Sequence, residues 1–432
     1  MDGRLAKIEP AKGKTFSLEQ SKLDIVDRSR TSRLPWRGQF SPELIEYLME
    51  SVCQDSTSFL DPFCGSGTVL FEAIKRSQSA VGLEVNPAAW HLAVLSSFAA
   101  LSSSEKANII QEIRHVVTAS SSEGLFAASA PYVLETIHSQ DAQQALKLAL
   151  AAVVLLGMGN ERELTAASIA RGGLAVLSIL NELSKVNELS KVNELSKKFK
   201  ATTCYLTDAR QMPLASESID AVITSPPYIN VFNYHQNYRP ATELLGWQPL
   251  EAARSEIGAN RKHRANRFLT VVQYCLDMSA CLSELARVMK QDAPLIIVLG
   301  RTSNVLGGAF KNGAIIRELL SSSNEFSEIG SAQRVFTNRF GERIIEDIVV
   351  VRRIRWNLLV SSDVRRVGIS ALKEAQTYVP ERNQAALRDA IEKAHEVMAS
   401  PLLKVTVPPA FAIMETRKNT AHHGSRSRSS AR

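Results

Sequence analysis

One stretch carries the architecture of this chain: "TSFLDPFCGSGTVLFEAIKRSQSAVGLEV", Thr57 to Val85. It opens with a short apolar run that breaks at Pro62, Gly65 and Gly67, residues that end a strand in a turn. "VLFEAIKRSQS" follows, with apolar spacing and a charged final turn that suit a single helix. "AVGLEV" then reads as a second strand. Strand, glycine loop, helix, strand is the βαβ unit of a doubly wound parallel sheet.

Working outward, "TTCYLTDARQMP" reads as a third strand ending at Asp208, and "SIDAVITSPPY" as a buried strand that runs into two prolines. "LSELARVMKQDAPLIIVLG" gives helix, turn and buried strand, and "RIIEDIVVVRR" a long alternating strand. These segments together predict an α/β fold. Between them, residues 101–200 are rich in alanine and leucine and read as a helical insertion. The hexapeptide NELSKV starts at Asn181, repeats at Asn187 and nearly repeats at Asn193. Six residues advance a helix by about 240°, so Leu183, Leu189 and Leu195 spread round the axis, and we read the repeat as a duplication tolerated in a surface helix.

Gly65 and Gly67 stand where a strand turns into a helix, where a ligand's polar end can approach bare backbone and exposed N–H groups. Glu84 ends the next strand, seventeen residues after Gly67, where a carboxylate can accept hydrogen bonds from ribose hydroxyls or cap the turn at Asn86 and Pro87. Asp208 ends the third strand and could accept from an adenine amino group or cap a turn.

The pairing of Asp61-Pro62-Phe63-Cys64-Gly65-Ser66-Gly67-Thr68 with Thr224-Ser225-Pro226-Pro227-Tyr228 resembles the amino-group DNA methyltransferases, which use S-adenosylmethionine to methylate cytosine N4 or adenine N6. The resemblance implies a class I methyltransferase fold, a Rossmann-like sheet that is mostly parallel with an antiparallel last strand. It further implies that Asp61, Phe63, Gly65, Gly67 and Thr68 line the cofactor, that Glu84 holds its ribose, and that Asp208 holds its adenine. "LPWRGQFSPELIEYLM" is similar to the family's N-terminal cofactor-closing motif, with Phe40, Ser41 and Pro42 in the matching places.

An exocyclic amine is a poor nucleophile because its lone pair is delocalised into the ring. Two hydrogen-bond acceptors can localise that pair on nitrogen. Pro226 and Pro227 stiffen the backbone and remove donors, which makes the Pro226 carbonyl one acceptor and the Ser225 hydroxyl the other. Tyr228 is expected to stack the target base, flipped out of duplex DNA. Within the family a serine-headed turn is commoner among cytosine-N4 enzymes, so the expected reaction is methylation of cytosine N4 in double-stranded DNA, in a restriction-modification system with a cognate endonuclease as possible partner. Alternatives are adenine N6 methylation, an RNA methyltransferase acting on guanine N2, and a non-catalytic nucleic-acid binder.

Tyr234, His235, Tyr238 and Arg239 follow the turn closely, and "ARSEIGANRKHRANRF" supplies Arg254, Arg261, Lys262, Arg264 and Arg267; these are candidate DNA contacts. The formal charge of +7 adds little to that reading, because Arg417, Lys418, Arg426, Arg428 and Arg432 carry five positive charges in a tail without acids. Five scattered cysteines without a Cys-x-x-Cys pair indicate neither a disulfide framework nor a zinc site. The N-terminus lacks a signal-like apolar stretch, and Leu148–Met158 is too short to cross a bilayer, so a cytoplasmic location away from membranes is expected. The expected division is an N-terminal extension at 1–30, a catalytic domain at 31–100 and 201–355, the insertion at 101–200, a C-terminal helical segment at 356–416 and a basic disordered tail at 417–432.

Overall fold

The computed structural model describes residues 18–25, 34–36, 38–121, 126–192, 202–230, 233–259, 263–337, 341–356 and 361–412. The basic tail, Arg261, Lys262 and the third NELSKV unit lie outside the described residues. The strands are β1 (Ser58–Asp61), β2 (Ser79–Glu84), β3 (Thr202–Leu206), β4 (Ala221–Thr224), β5 (Pro294–Gly300), β6 (Thr302–Val305), β7 (Gly308–Lys311), β8 (Phe326–Thr337) and β9 (Arg343–Arg353). Seven of them form one sheet in the order β3-β2-β1-β4-β5-β9-β8, and β6 and β7 form a separate hairpin.

β1 to β5 pair in parallel, and β9 runs antiparallel to both of its neighbours. This is the expected α/β doubly wound sheet with an antiparallel last strand. The chain leaves β1 toward β2 on one side and reaches β4 on the other, so a crevice opens at the carboxyl ends of β1 and β4.

Side-chain alternation splits the core into two layers. Phe59, Ile223, Ile296 and Val350 face one apolar cluster, while their neighbours Leu60, Val222, Ile297 and Val351 face another. Both faces are therefore covered, and the central strands read as continuous apolar runs. The first layer is supplied by α1 (Gln20–Asp24), α2 (Pro42–Val52), α3 (Thr68–Lys75), α4 (Pro87–Ala93) and the insertion helices α5 (Ser103–Ser121), α6 (Phe126–His138), α7 (Gln144–Met158) and α8 (Ala166–Val192). Two short helices, α9 (Arg239–Leu244) and α10 (Pro249–Ala252), follow β4 in the chain, and α9 adds Ala241 to the first layer. The second layer consists of α11 (Leu269–Val288), α12 (Asn312–Ser323), α13 (Ser361–Ala375) and α14 (Glu381–Glu392).

Three details depart from the sequence reading. β3 stops at Leu206, two residues before Asp208. The β6–β7 hairpin and β8 were not expected. Ala166–Lys185 of α8 is long and apolar enough by composition to span a membrane, unlike the Leu148–Met158 run; Ile169, Val176, Ile179, Leu180 and Leu183 on it are buried in the first core layer.

Candidate active site

A cleft enclosing about 890 Å³, its open mouth included, lies at the carboxyl ends of β1 to β4. Its walls bring together Phe40, Asp61, Phe63, Gly65, Thr68, Glu84, Asp208, Ser225 and Pro227, which are far apart in sequence.

The glycine loop is shaped by its own polar groups. Asp61 Oδ1 accepts from the Phe63 N–H at 3.1 Å, and Cys64 N–H donates to the Leu83 carbonyl at 3.1 Å, which ties the loop to β2. Gly65 and Gly67 adopt φ of +51° and +89°, where side chains are strained. A Cβ on Gly65 would stand 3.1 Å from the Trp36 ring, and one on Gly67 3.1 Å from Ala93. Trp36 therefore covers the loop. Gly67, contrary to expectation, does not line the cleft; it lets α3 approach α4.

Glu84 caps the turn that follows β2, one of the two roles open to it. Its Oε1 accepts from the Val85 and Asn86 N–H groups at 2.9 and 2.8 Å, and its Oε2 accepts from the Gly65 N–H at 2.9 Å. An ionised carboxylate has about four acceptor positions, so one remains for a ligand. Burial raises the Glu84 pKa to about 7 against the lowering effect of those N–H groups. Burial likewise raises Asp61 to about 7, partly offset by hydrogen bonds from Thr224 and Phe63.

Asp208 departs from expectation. Its Oδ1 accepts from Arg210 Nε at 2.9 Å and from the Arg210 N–H at 3.0 Å, and its Oδ2 from Arg210 Nη2 at 2.7 Å and the Leu403 N–H at 3.1 Å. Those contacts fill the carboxylate, leaving no position for an adenine amine. Arg210 also donates to Asp277 Oδ1 and to the Ser400 carbonyl, both at 2.7 Å. Burial acts to lower the Arg210 pKa, but Asp208 and Asp277 outweigh it and the net shift is upward. The group pins residues 397–412, which pass from Val397 in the second core layer to Phe411 in the first.

On the far wall, Ser225 and Pro227 line the cleft, while Pro226 is buried. Tyr228 does not line it: its ring packs on Gly300, and burial raises its pKa to about 12.

The expected DNA contacts divide. Arg264 is exposed. Arg239 is paired with Glu243 at 2.7 Å along α9. His235 is buried, with its N–H and Nδ1 on Glu256 at 2.9 and 3.1 Å, so it cannot meet a phosphate. Tyr238 stacks on Trp36, with ring centroids 6.1 Å apart, and donates its hydroxyl to the Pro35 carbonyl at 2.5 Å. Arg267 is half-buried and donates to Asn230 Oδ1 in the loop after the turn. These last three brace the site where solvent-facing contacts were expected. The sequence reading missed Trp36, Gln39 and Glu256 on the cleft wall, and Arg210 and Asp277 beside it; Asp277, an acid within the apolar "YCLDMSACL", was the one visible hint.

A family model described as DNA methylase matches residues 17–95, a stretch that contains Phe40, the Asp61–Thr68 loop and Glu84 and ends before β3. The chain is 32% identical over 67 residues to Type II methyltransferase M.MjaII of Methanocaldococcus jannaschii, an overlap of 15% of this chain and 13% of that relative's length. Among solved structures, a SAM-dependent methyltransferase from Methanosarcina mazei aligns over 70% of this chain and 94% of its own at 11% identity and TM-score 0.31. The rRNA methyltransferase aviRa from Streptomyces viridochromogenes aligns over 78% and 90% at 13% identity and TM-score 0.32. Magnesium protoporphyrin IX methyltransferase from Synechocystis, with bound SAH, aligns over 72% and 82% at 12% identity and TM-score 0.31. Scores this low carry no argument, and the fold assignment rests on the strand order.

Proposed function

We propose that this protein is an S-adenosylmethionine-dependent DNA methyltransferase acting on an exocyclic amino group, with cytosine N4 as the target. One observation carries the proposal: a glycine loop backed by a ribose-competent carboxylate shares a single cleft with the Ser225–Pro227 turn. The similarity of residues 17–95 to DNA methylases supports it from the cofactor side.

The donor set fits the cofactor. Glu84 keeps one acceptor position for a ribose hydroxyl, and Asp61 Oδ1 is engaged by Thr224 and Phe63, which leaves Oδ2 for a cationic amino group. Trp36 over Gly65 shields that end of the cleft from water. When bound, S-adenosylmethionine supplies an electrophilic methyl group on a sulfonium.

The chain's own groups prepare the nucleophile. The Ser225 hydroxyl and the carbonyl of the Pro226–Pro227 pair accept the amine N–H bonds and localise the nitrogen lone pair. Bound there, S-adenosylmethionine would supply the methyl carbon to the nitrogen and keep the carbon–sulfur electron pair as a neutral thioether, while Ser225 and the Pro226 carbonyl hold the amine and its surplus proton goes to water. No covalent enzyme intermediate is required, and rate comes from alignment and exclusion of water. Double-stranded DNA is the substrate, a restriction endonuclease reading the same sequence is the functional partner, and the cytoplasm is the site of action. Incubation with methyl-tritiated cofactor and unmethylated DNA, followed by base analysis, tests this: label in N4-methylcytosine supports it, label in adenine alone removes the cytosine assignment, and label in tRNA alone removes DNA.

A further inference from the structure

Asn160 connects the helical insertion to the cofactor end of the cleft. It stands in the turn between α7 and α8, and that turn is tied down on both sides. The Gly159 N–H donates to the Leu155 carbonyl at 2.9 Å and the Glu161 N–H to the Met158 carbonyl at 2.8 Å, while Arg171 of α8 donates to Glu161 Oε1 at 2.8 Å and to the Gly157 carbonyl at 3.1 Å. From this fixed turn Asn160 Oδ1 accepts the Tyr238 N–H at 2.9 Å.

Tyr238 holds a backbone conformation that needs such support. Its φ is +58°, in the left-handed region that bulky residues seldom enter. Its carbonyl takes the Thr242 N–H at 2.9 Å and the Thr242 hydroxyl at 2.8 Å as α9 begins, so α9 fixes the residue through its C=O and the insertion through its N–H. The ring is thereby set against Trp36, with centroids 6.1 Å apart and planes 6° from parallel, and its hydroxyl donates to the Pro35 carbonyl at 2.5 Å. Trp36 in turn lines the cleft with Cδ1 3.1 Å from where a Cβ on Gly65 would stand, and the Gly65 N–H is the one that Glu84 Oε2 accepts. Contacts therefore run unbroken from the insertion to the glycine loop.

We infer that Asn160 and Tyr238 are positioning residues for cofactor binding, through which the helical insertion sets Trp36 over the glycine loop. This rests on the proposed seating of S-adenosylmethionine between that loop and Glu84. Tyr238, a candidate DNA contact by its place in the sequence, acts on the cofactor end instead.

The full chain is compared with Asn160→Ala, Asn160→Asp, Tyr238→Leu and Tyr238→Phe for S-adenosylhomocysteine affinity by calorimetry, and for the separate KM values of S-adenosylmethionine and unmethylated plasmid DNA. Asn160 is exposed, so its variants are expected to fold. Loss of a neutral hydrogen bond or of an aromatic stack is a factor of about 2 to 10 in an equilibrium constant. Asn160→Ala and Tyr238→Leu are expected to weaken cofactor binding by that factor while KM for DNA stays at the wild-type value. Asn160→Asp keeps the acceptor and Tyr238→Phe keeps the ring, so both are expected to bind cofactor more tightly than their partner variants. General loosening of the fold would instead raise both KM values together. Unchanged cofactor affinity in Asn160→Ala, a raised KM for DNA alone or for both substrates equally, or an Asn160→Asp variant as poor as Asn160→Ala each overturns the inference. Glu84→Gln is the control for the seat: if it weakens cofactor binding and Asn160→Ala does not, the inference alone falls, and if neither does, the proposed seat falls with it.

Discussion

The Thr224 hydroxyl donates to Asp61 Oδ1 at 2.7 Å, and both residues are buried. The bond joins the last residue of β1, where the glycine loop begins, to the last residue of β4, beside Ser225. The glycine loop and the proline turn, the proposed binding groups for cofactor and target, are thereby referenced to one another across adjacent strands.

Thr224→Val tests that link, since it keeps the shape and removes the donor. A hydrogen bond to a charged group contributes about 1.5–3 kcal/mol, so cofactor affinity is expected to fall roughly ten-fold and the melting temperature to drop by several degrees. Calorimetric titration and a thermal melt measure the two. A variant indistinguishable from wild type in both would show that Asp61 is held by the Phe63 N–H alone.

Cofactor binding and apoprotein stability should respond to pH in opposite directions. Asp61 and Glu84, both raised to about 7 chiefly by burial, hold protons in the folded chain that the unfolded chain has released above its usual carboxylate range. Between about pH 4.5 and 7 the native state binds more protons, so these two groups make the unliganded protein more stable as pH falls through that window. A cationic ligand needs them ionised, and its affinity is lost over the same fall. Melts with and without S-adenosylmethionine from pH 5.5 to 8 should show the ligand-induced shift shrinking below pH 7; a shift independent of pH would remove Asp61 and Glu84 from the binding site.

How much of this site was legible in the sequence depends on the range of the interaction. The βαβ unit and the crevice could be read because alternation and turn residues are local, and Glu84 because strand length fixes its distance from the glycine loop. Asp208 was misread because its partners are not all local: Arg210 is two positions away, but the backbone N–H that completes its shell belongs to Leu403, and Arg210 is shared with Asp277 and Ser400. His235 and Arg267 were misread for a related reason. Charge and proximity to the proline turn suggest phosphate, and nothing in the order of residues reveals that Glu256 and Asn230 already engage them.

Gly258 is expected to be intolerant of any side chain. Its φ is +70°, and an added Cβ would meet the Tyr228 carbonyl oxygen at 2.3 Å, a backbone atom that cannot swing aside. Gly258→Ala should destabilise the fold by about 2 kcal/mol or more and reduce methyl transfer further than stability alone explains, because the displaced backbone carries Tyr228 and the proline turn. Activity compared with wild type well below the melting temperature separates the effects, and normal turnover in the folded variant would count against a fixed Tyr228.

Asp208→Asn distinguishes an adenine-binding carboxylate from an anchor for the C-terminal segment. If Asp208 bound the cofactor directly, the amide would weaken S-adenosylhomocysteine binding with little change in stability. The geometry predicts the reverse order: Arg210 loses its bidentate partner and keeps Asp277 alone, and breaking a buried ion pair costs at most about 3–5 kcal/mol when no counter-charge remains. The first measurable change should be loosening of residues 397–412, read as faster amide hydrogen exchange and protease cleavage there, since Arg210 also holds the Ser400 and Pro401 carbonyls. Asp277→Asn should loosen the same segment, because Asp277 accepts from the Ser400 N–H at 2.8 Å, while sitting outside the cleft wall. A cofactor defect in Asp208→Asn with an intact C-terminal segment would restore the carboxylate to the adenine site.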